Sequence, residues 1–481
     1  MVVSIGTPLF RLSLSLLHIN CKRNLRFPCP IFFRKYCSNN ENNFAHSVIF
    51  GDRKETYLNG DKLQDFILLF SSILVQNRYH PESKPDLSKL LDKQKWVLKQ
   101  SKTVYPPCLQ PEITSKFIDG LSMAFKSLSV DELLTVIRCL DQCKNLDNAM
   151  YSALLSKLDR ECTLRLPQWN WNTSCRVLQE WYSLNLIKPC HFYKKAMSHY
   201  SLLIHEMNAQ QLVEFSFFLN LNRSFPTKLN HRNFENQLLL SFNDFSLNEI
   251  GVISMAFFKC QKEIRNPALL EQLISAVKDN AATIDDITLA AMLKLIRRSC
   301  SDASKTPASV MTLFDALIDV IDQFNPKVVI QLVVVAGSLN YFHHPTLEKV
   351  ARMFNQKIST TRLKDLERFA LSLSSSGYKS KSVEQFWKLV EMDLVKSERQ
   401  AEISNFPRSL ISLLVYFVSL GKFPEELFRI AFRPENVTKT LGIRYSFYLN
   451  ICFLFSLSFY LLKQLMMFKI SARFDVHKCE T

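Results

Sequence analysis

Two groups of basic side chains are spaced so that they could meet phosphate: Lys259, Lys262 and Arg265, and Lys294, Arg297 and Arg298. The second group falls at i, i+3 and i+4, which places all three on one face of a helix. Evenly repeated cations can track a phosphodiester backbone. The competing reading is a solvated outer face with no ligand. Trp169 and Trp171 could stack bases, or one of them could pack in the core.

Other reactive side chains give weaker patterns. Cys139 and Cys143 are one helical turn apart, unlike the usual zinc-ligand spacing, and Cys190-His191 is a lone dipeptide. His343 and His344 are adjacent, so on a helix they diverge, and they precede Pro345. Asp285-Asp286 sits at a helix start, where capping explains it. The 13 cysteines contain no C-x-x-C and no framework spacing, which fits a reducing compartment rather than a disulfide scaffold. The 9 glycines are dispersed, never two within three residues, so a G-x-G-x-x-G turn and a Walker-type loop are both excluded. Glycine-dependent nucleophile elbows and the protein-kinase signatures are missing too. The expectation is a protein without enzymatic activity, cofactor or metal.

The elements that would position the basic groups form a pattern. The chain has 481 residues, 47% hydrophobic and 22% charged, enough for several domains or one long array. Residues 128–143 (LSVDELLTVIRCLDQC) match residues 245–260 (FSLNEIGVISMAFFKC). Ser129 pairs with Ser246, Glu132 with Glu249, Leu133 with Ile250, Val136 with Ile253, Leu140 with Phe257 and Cys143 with Cys260. The apolar positions recur at i, i+3 and i+7 behind a short polar cap, which predicts an amphipathic helix. Further copies begin near Trp169, Asn208, Ile284, Asn325, Thr361 and Ile403, at intervals of 36–42 residues. Asn325-Pro326 is a cap followed by proline at the first helical position, and Pro267, Pro307 and Pro345 open second helices. The fold class predicted is an all-α solenoid of about eight helix-pair repeats. Phe215, Phe217, Phe218, Leu219, Phe257 and Phe258 read as packing residues of that array. Cys143, Cys260 and Cys300 read as small apolar fillers at helix ends.

The net charge of +16 is uneven. Residues 1–40 carry six basic side chains and no acid, with Phe10, Leu12, Leu14, Leu16 and Leu17 around Arg11, the composition of a mitochondrial presequence. Arg34, Tyr36 and Cys37 suggest a cleavage point. A secretory signal is the alternative. Residues 37–115 read as an irregular, proline-containing linker with a short helix over 63–75. Residues 445–462 form an uncharged run of 18, which could be a membrane span, a helix packed on the last repeat, or a divergent end.

Residues 363–378 (LKDLERFALSLSSSGY), together with 328–341, resemble the first conserved module of the FAST kinase domain-containing family. Leu363, Asp365, Leu366, Glu367, Arg368, Ala370, Leu371 and Ser372 carry the likeness. Residues 407–428 (PRSLISLLVYFVSLGKFPEELF) resemble the start of the second module through Leu420, Gly421, Phe423, Pro424 and Leu427. The likeness stops near 443, with only 38 residues left, too few for the RAP domain that usually ends family members. The resemblance implies a mitochondrial matrix protein acting on mitochondrial RNA in transcript processing, stability or translation, with other RNA-processing or ribosome-associated proteins as further partners. The resulting layout is a presequence at 1–36, a linker at 37–115 and degenerate helical repeats at 116–324. A first FAST-type module follows at 325–400, a partial second at 401–443 and a hydrophobic tail at 444–481. A protein-interaction scaffold, or an adaptor tethered to the membrane through 445–462, is the alternative.

Overall fold

The computed structural model describes residues 34–51, 125–139, 148–187, 190–300, 308–339 and 341–441. The chain divides into two compact units, residues 1–53 and 54–481. The first contributes one described helix, α1 (Arg34–Phe50). Here the expectation of an irregular chain is corrected, because 37–50 is helical. His46 and Phe50, one turn apart, bring their rings to 4.9 Å, an i,i+4 pair that favours helix. Gly51, at φ +70°, ends it by donating to the Ser47 carbonyl at 2.9 Å. Arg34, Tyr36 and Cys37 occupy the first turn of α1. The presequence before Arg34, the expected helix at 63–75 and the tail at 444–481 lie outside the described residues.

In the second unit every described element is a helix, and no strand occurs among the described residues. Seven helix pairs follow one another: α2 (Val130–Cys139) with α3 (Asn148–Arg165), α4 (Trp171–Ser183) with α5 (His191–Tyr200), and α6 (Ala209–Asn222) with α7 (His231–Leu240). Then come α8 (Leu247–Lys259) with α9 (Pro267–Asp279), α10 (Asp286–Ser299) with α11 (Ser309–Ile318), α12 (Pro326–Leu339) with α13 (His344–Lys357), and α14 (Leu363–Ser376) with α15 (Lys381–Leu394). After an extra helix, α16 (Ser397–Asn405), the eighth unit is α17 (Pro407–Ser419) followed by the short α18 (Glu425–Ala431) and α19 (Pro434–Leu441). The first helices pack on one another in chain order, α2 on α4 through to α14 on α17. Second helices form a parallel series, α3 on α5 and α7 on α9 through to α13 on α15. Neighbours in space are neighbours in sequence, which makes the fold an all-α solenoid-like array.

The starts of successive first helices explain why the period was readable. A short polar side chain caps each one from the first unit to the sixth. Ser129 and Ser246 form capping boxes with Glu132 and Glu249, and Asn208 forms one with Gln211. Asn170, Asp285 and Asn325 accept from amides of the first turn. Pro267 and Pro345 open α9 and α13 as expected, while Pro307 is outside the described residues.

The eighth start is the exception. The spacing placed it at Ile403, but α16 is inserted there and the first helix opens at Pro407. The reason lies in the seventh unit, whose cap position holds Arg362, a side chain that cannot accept a hydrogen bond. Glu402 of α16 supplies the acceptor, taking the Leu363 amide at 2.8 Å. The buried Arg399 holds α16 in place by donating to Asp393 at 2.7 Å, Glu402 at 2.7 Å and the Ile358 carbonyl at 2.6 Å.

The second helices are joined by a device with no counterpart in the sequence pattern. An acid on one second helix accepts from the start of the next. Asp159 takes the His191 and Phe192 amides at 2.7 and 2.6 Å, and Glu235 takes those of Arg265 and Asn266 at 2.7 and 3.0 Å. Glu271 accepts from the Ser309 hydroxyl, and Glu348 from those of Ser380 and Ser382 at 2.6 and 2.8 Å. Asp159 and Glu235 thus satisfy backbone amides at a helix start, while Glu271 and Glu348 tie the two helices through serine hydroxyls.

Candidate functional site

The first helices in the middle of the array are apolar nearly all round. Ile250–Phe257 of α8 is buried without interruption, and in α6 Phe215, Ser216, Phe217, Phe218, Leu219, Asn220 and Leu221 are buried in succession. Helices buried on every side present no ligand face. Neither Phe215–Leu221 of α6 nor Ile250–Phe257 of α8 therefore offers an open face to a ligand. What remains open is their two ends and the connecting loops, and the basic residues collect past the C-terminal ends.

In the third unit Arg223 stands in the left-handed region at φ 57° just past α6, and the exposed Lys228 and Arg232 follow. In the fourth, Lys259 is the last residue of α8. The ammonium of Lys262 lies 5.9 Å from the centre of the Phe225 ring, and the exposed Arg265 sits 3.5 Å from Glu263. In the fifth, Lys294 and Arg298 both lie 5.7 Å from the centre of the Phe258 ring. Arg298 also donates to the Gln261 carbonyl at 3.3 Å, while its Nε is buried with no acceptor. Two of the acids in these units have assigned partners. Glu263 pairs with Arg265, and Glu235 is spent on backbone amides.

Six expected residues are thus brought together on one edge, but the trio on α10 is split. Lys294 and Arg298 share Phe258. Arg297 is half-buried and, among the described residues, makes no hydrogen bond or ion pair. Burial lowers its pKa to about 10, and the charges of Arg368 and Arg298 act in the same direction. Phe258 is also reassigned: it is not a core filler like Phe257 but a half-exposed seat for two cations. The sequence reading missed Arg223, Lys228, Arg232 and Arg368. The first three would have emerged from aligning loops by repeat register instead of searching for charge clusters.

The remaining candidates are structural. Trp171 packs in the core with its indole N–H on Glu214 at 2.6 Å, and Trp169 sits edge-on to Phe192 at 5.7 Å. The Cys190 thiol donates to Asp159, and Cys260 donates to the Leu219 carbonyl at 3.3 Å, its pKa pushed up to about 12 by burial. His343 meets Thr346 at 2.7 Å, and His344 stacks on Tyr378 at 4.8 Å. Asp285 is a helix cap. Cys143 and the Cys139 side chain lie outside the described residues. No group of three or more potential metal ligands occurs among the described residues. Nor is any described helix long and apolar enough to cross a membrane.

A second surface feature lies at the opposite helix ends. Leu164 (61% exposed), Leu202 (54%) and Leu240 (79%) recur every 38 residues, at or just beyond the ends of α3, α5 and α7. Exposed leucines in register over three units form an apolar stripe.

No protein-family model and no curated protein matches this chain.

Proposed function

We propose that this chain is an RNA-binding helical-repeat protein of the mitochondrial matrix, acting in processing, stability or translation of mitochondrial transcripts. The observation that carries the reading is the basic edge, where the ends of three consecutive first helices and the loops after them carry Arg223, Lys228, Arg232, Lys259, Lys262, Arg265, Lys294 and Arg298, with Glu263 paired to Arg265. Phosphate attraction supplies most of non-specific nucleic-acid affinity. The acid-free first 40 residues support import. The resemblance of 325–443 to FAST kinase domain-containing proteins supports RNA over other polyanions.

The test is salt-dependent RNA binding by the full chain with Lys294, Arg297 and Arg298 all changed to Ala. Each phosphate contact to a single strand contributes a slope of about 0.7 in log K against log salt. Loss of three contacts therefore flattens the slope by about 2. Unchanged slope and affinity return the edge to a solvated surface.

A second reading, an interaction scaffold for RNA-processing or ribosome-associated proteins, is favoured by one observation, the stripe of Leu164, Leu202 and Leu240. The two readings use opposite helix ends and are compatible. A membrane tether would depend on 445–462, outside the described residues.

A further inference from the structure

The loops that join first helices to second helices carry aromatic rings as well as cations in the sixth and seventh units. Gly377, at φ 65°, ends α14, and the loop 377–380 leads into α15. Glu348 of α13 fixes that loop, accepting from the Tyr378 hydroxyl at 3.3 Å as well as from Ser380 and Ser382. Held in this way, the Tyr378 ring stacks on His344, the first residue of α13, with centroids 4.8 Å apart and planes 24° from parallel. Tyr378 is half-buried, whereas His344 is exposed and makes no other ring contact among the described residues. Tyr378 thus takes one face of the imidazole and leaves the other to solvent.

Lys379, next to Tyr378 in the chain, begins a groove. It is lined by Lys379 and Ser380 of the loop and by Lys381, Glu384, Gln385 and Lys388 of α15, the last four at i, i+3, i+4 and i+7 on one helix face. The groove is open and measures about 590 Å³, within the range of about 300–1,000 Å³ for small-molecule sites. Lys379, Lys381 and Lys388 are exposed and make no hydrogen bond or ion pair among the described residues. The acids close to them are engaged. Glu384 takes the Lys422 ammonium at 2.8 Å, and Glu348 takes Arg352 at 3.0 Å besides the loop hydroxyls. Glu391, one turn past Lys388, stands beyond the groove lining. A fixed ring with one free face beside three unpaired ammonium groups complements a nucleotide. The base stacks on the ring, the phosphate meets the ammonium groups, and the Gln385 amide offers a donor and an acceptor to the base edge.

We propose that His344, backed by Tyr378, and the groove of Lys379, Lys381, Gln385 and Lys388 form a nucleotide-binding site between the sixth and seventh units. The ligand is a nucleotide, either within single-stranded RNA or free. Only its RNA source rests on the function proposed above. The site's loops hold the same repeat position as those of the basic edge, one and two units further on. It differs from that edge in offering a ring face, so it engages a base as well as a phosphate.

The experiment titrates the full chain with uridine 5′-monophosphate, uridine and inorganic phosphate at constant ionic strength, and with single-stranded oligouridylate over a range of salt. The mononucleotide is expected to bind more tightly than uridine or phosphate alone. His344→Ala should weaken it about tenfold, and His344→Phe should restore it through the ring face. Lys381→Gln/Lys388→Gln should weaken the mononucleotide and leave uridine unchanged. Both lysines are exposed, so this variant decides the matter where His344→Ala does not fold. Mononucleotide binding absent from the unmodified protein, or unchanged in the lysine variant, overturns the site. A His344→Ala protein that melts lower yet binds the mononucleotide as tightly overturns the stack in favour of a structural role. The oligouridylate arm separates the two sources. A salt slope flattened by about 1.4 in the lysine variant, two contacts at about 0.7 each, makes RNA the source. Mononucleotide binding with no oligouridylate binding upholds the site and overturns the RNA reading. Oligouridylate binding with no mononucleotide binding, and with an unchanged slope in the lysine variant, overturns the site and leaves the RNA reading standing.

Discussion

Replacing Glu235 with Ala should release the start of α9 from α7. Glu235 is 1% exposed, and its two oxygens accept the Arg265 amide at 2.7 Å and the Asn266 amide at 3.0 Å. The next two amides of the helix, Ala268 and Leu269, are taken by Asn266 itself, so the two residues together satisfy the whole N-terminus. His231 Nε2 lies 3.2 Å from the same carboxylate but makes no hydrogen bond there, so little is lost on that side. Two charge-assisted bonds at about 1.5 kcal/mol each give a loss of about 3 kcal/mol. At about 1.4 kcal/mol per tenfold, opening of this start becomes roughly 100-fold more frequent. Hydrogen exchange at the Arg265 and Asn266 amides reads that opening directly, because an array of units opens locally. Glu235→Gln keeps one acceptor and should show an intermediate effect. Exchange at those two amides in Glu235→Ala matching the unmodified protein would refute the reasoning.

Glu348 leads to a pH dependence. Its carboxylate sits below the ordinary 4.5, chiefly through the Ser380 hydroxyl, then Ser382 and Arg352. A depressed folded pKa means a contribution complete above 4.5 and lost as pH falls through the lower folded value. Melting temperature should therefore be insensitive to this group from neutral pH to about 5 and fall below 4.5, with Glu348→Gln removing that part of the acid loss. Two glycines should respond oppositely to Ala. At Gly251 a Cβ would lie 2.9 Å from Thr288 Oγ1 and 3.2 Å from its Cα, and the backbone atom cannot turn aside. Overpacking should outweigh helix propensity there, for a net loss of about 1 kcal/mol. At Gly337 the nearest atom is a hydroxyl at 3.4 Å that can rotate, so Ala should gain about 0.5 kcal/mol, both values read from denaturant unfolding.

The period was legible because its signals are local. A Ser with Glu three residues on, or Asn before Pro, acts within one turn of chain, and Ser246, Glu249 and Asn325 do what their spacing says. Cys260 and Cys300, read as fillers at equivalent helix ends, are buried at those ends. The parts that could not be read depend on partners about one or two repeats away. Glu235 looks like any helix acid until the Arg265 and Asn266 amides are placed against it. α16 breaks the spacing because Arg362, 40 residues before Glu402, cannot cap its own helix. Arg297 shares an i, i+3, i+4 pattern with two cations, yet only Lys294 and Arg298 of the three sit at the Phe258 ring.

The placement of charge follows from how the first helices are packed. A helix such as α8 gives all its sides to neighbouring helices, so ionic side chains can stand only at its end. There the long cationic side chains need an apolar seat for their stems while the charge stays in water. Phe225 and Phe258 provide those seats, fixing Lys262, Lys294 and Arg298 before any ligand arrives. Cations held in place lose less freedom on binding than free lysines do. The same seating has a cost for recognition. A base stacking on Phe258 would have to compete with Lys294 and Arg298 for the ring. Adjacent helices lie about 8–10 Å apart, so cations of three successive units recur along the edge at about that interval. The edge is thus suited to following a backbone, a contact that fixes position without reading sequence. Under the RNA-binding proposal, any preference for one transcript over another would have to come from side chains outside this edge, or from the partner that the leucine stripe at the opposite helix ends would hold.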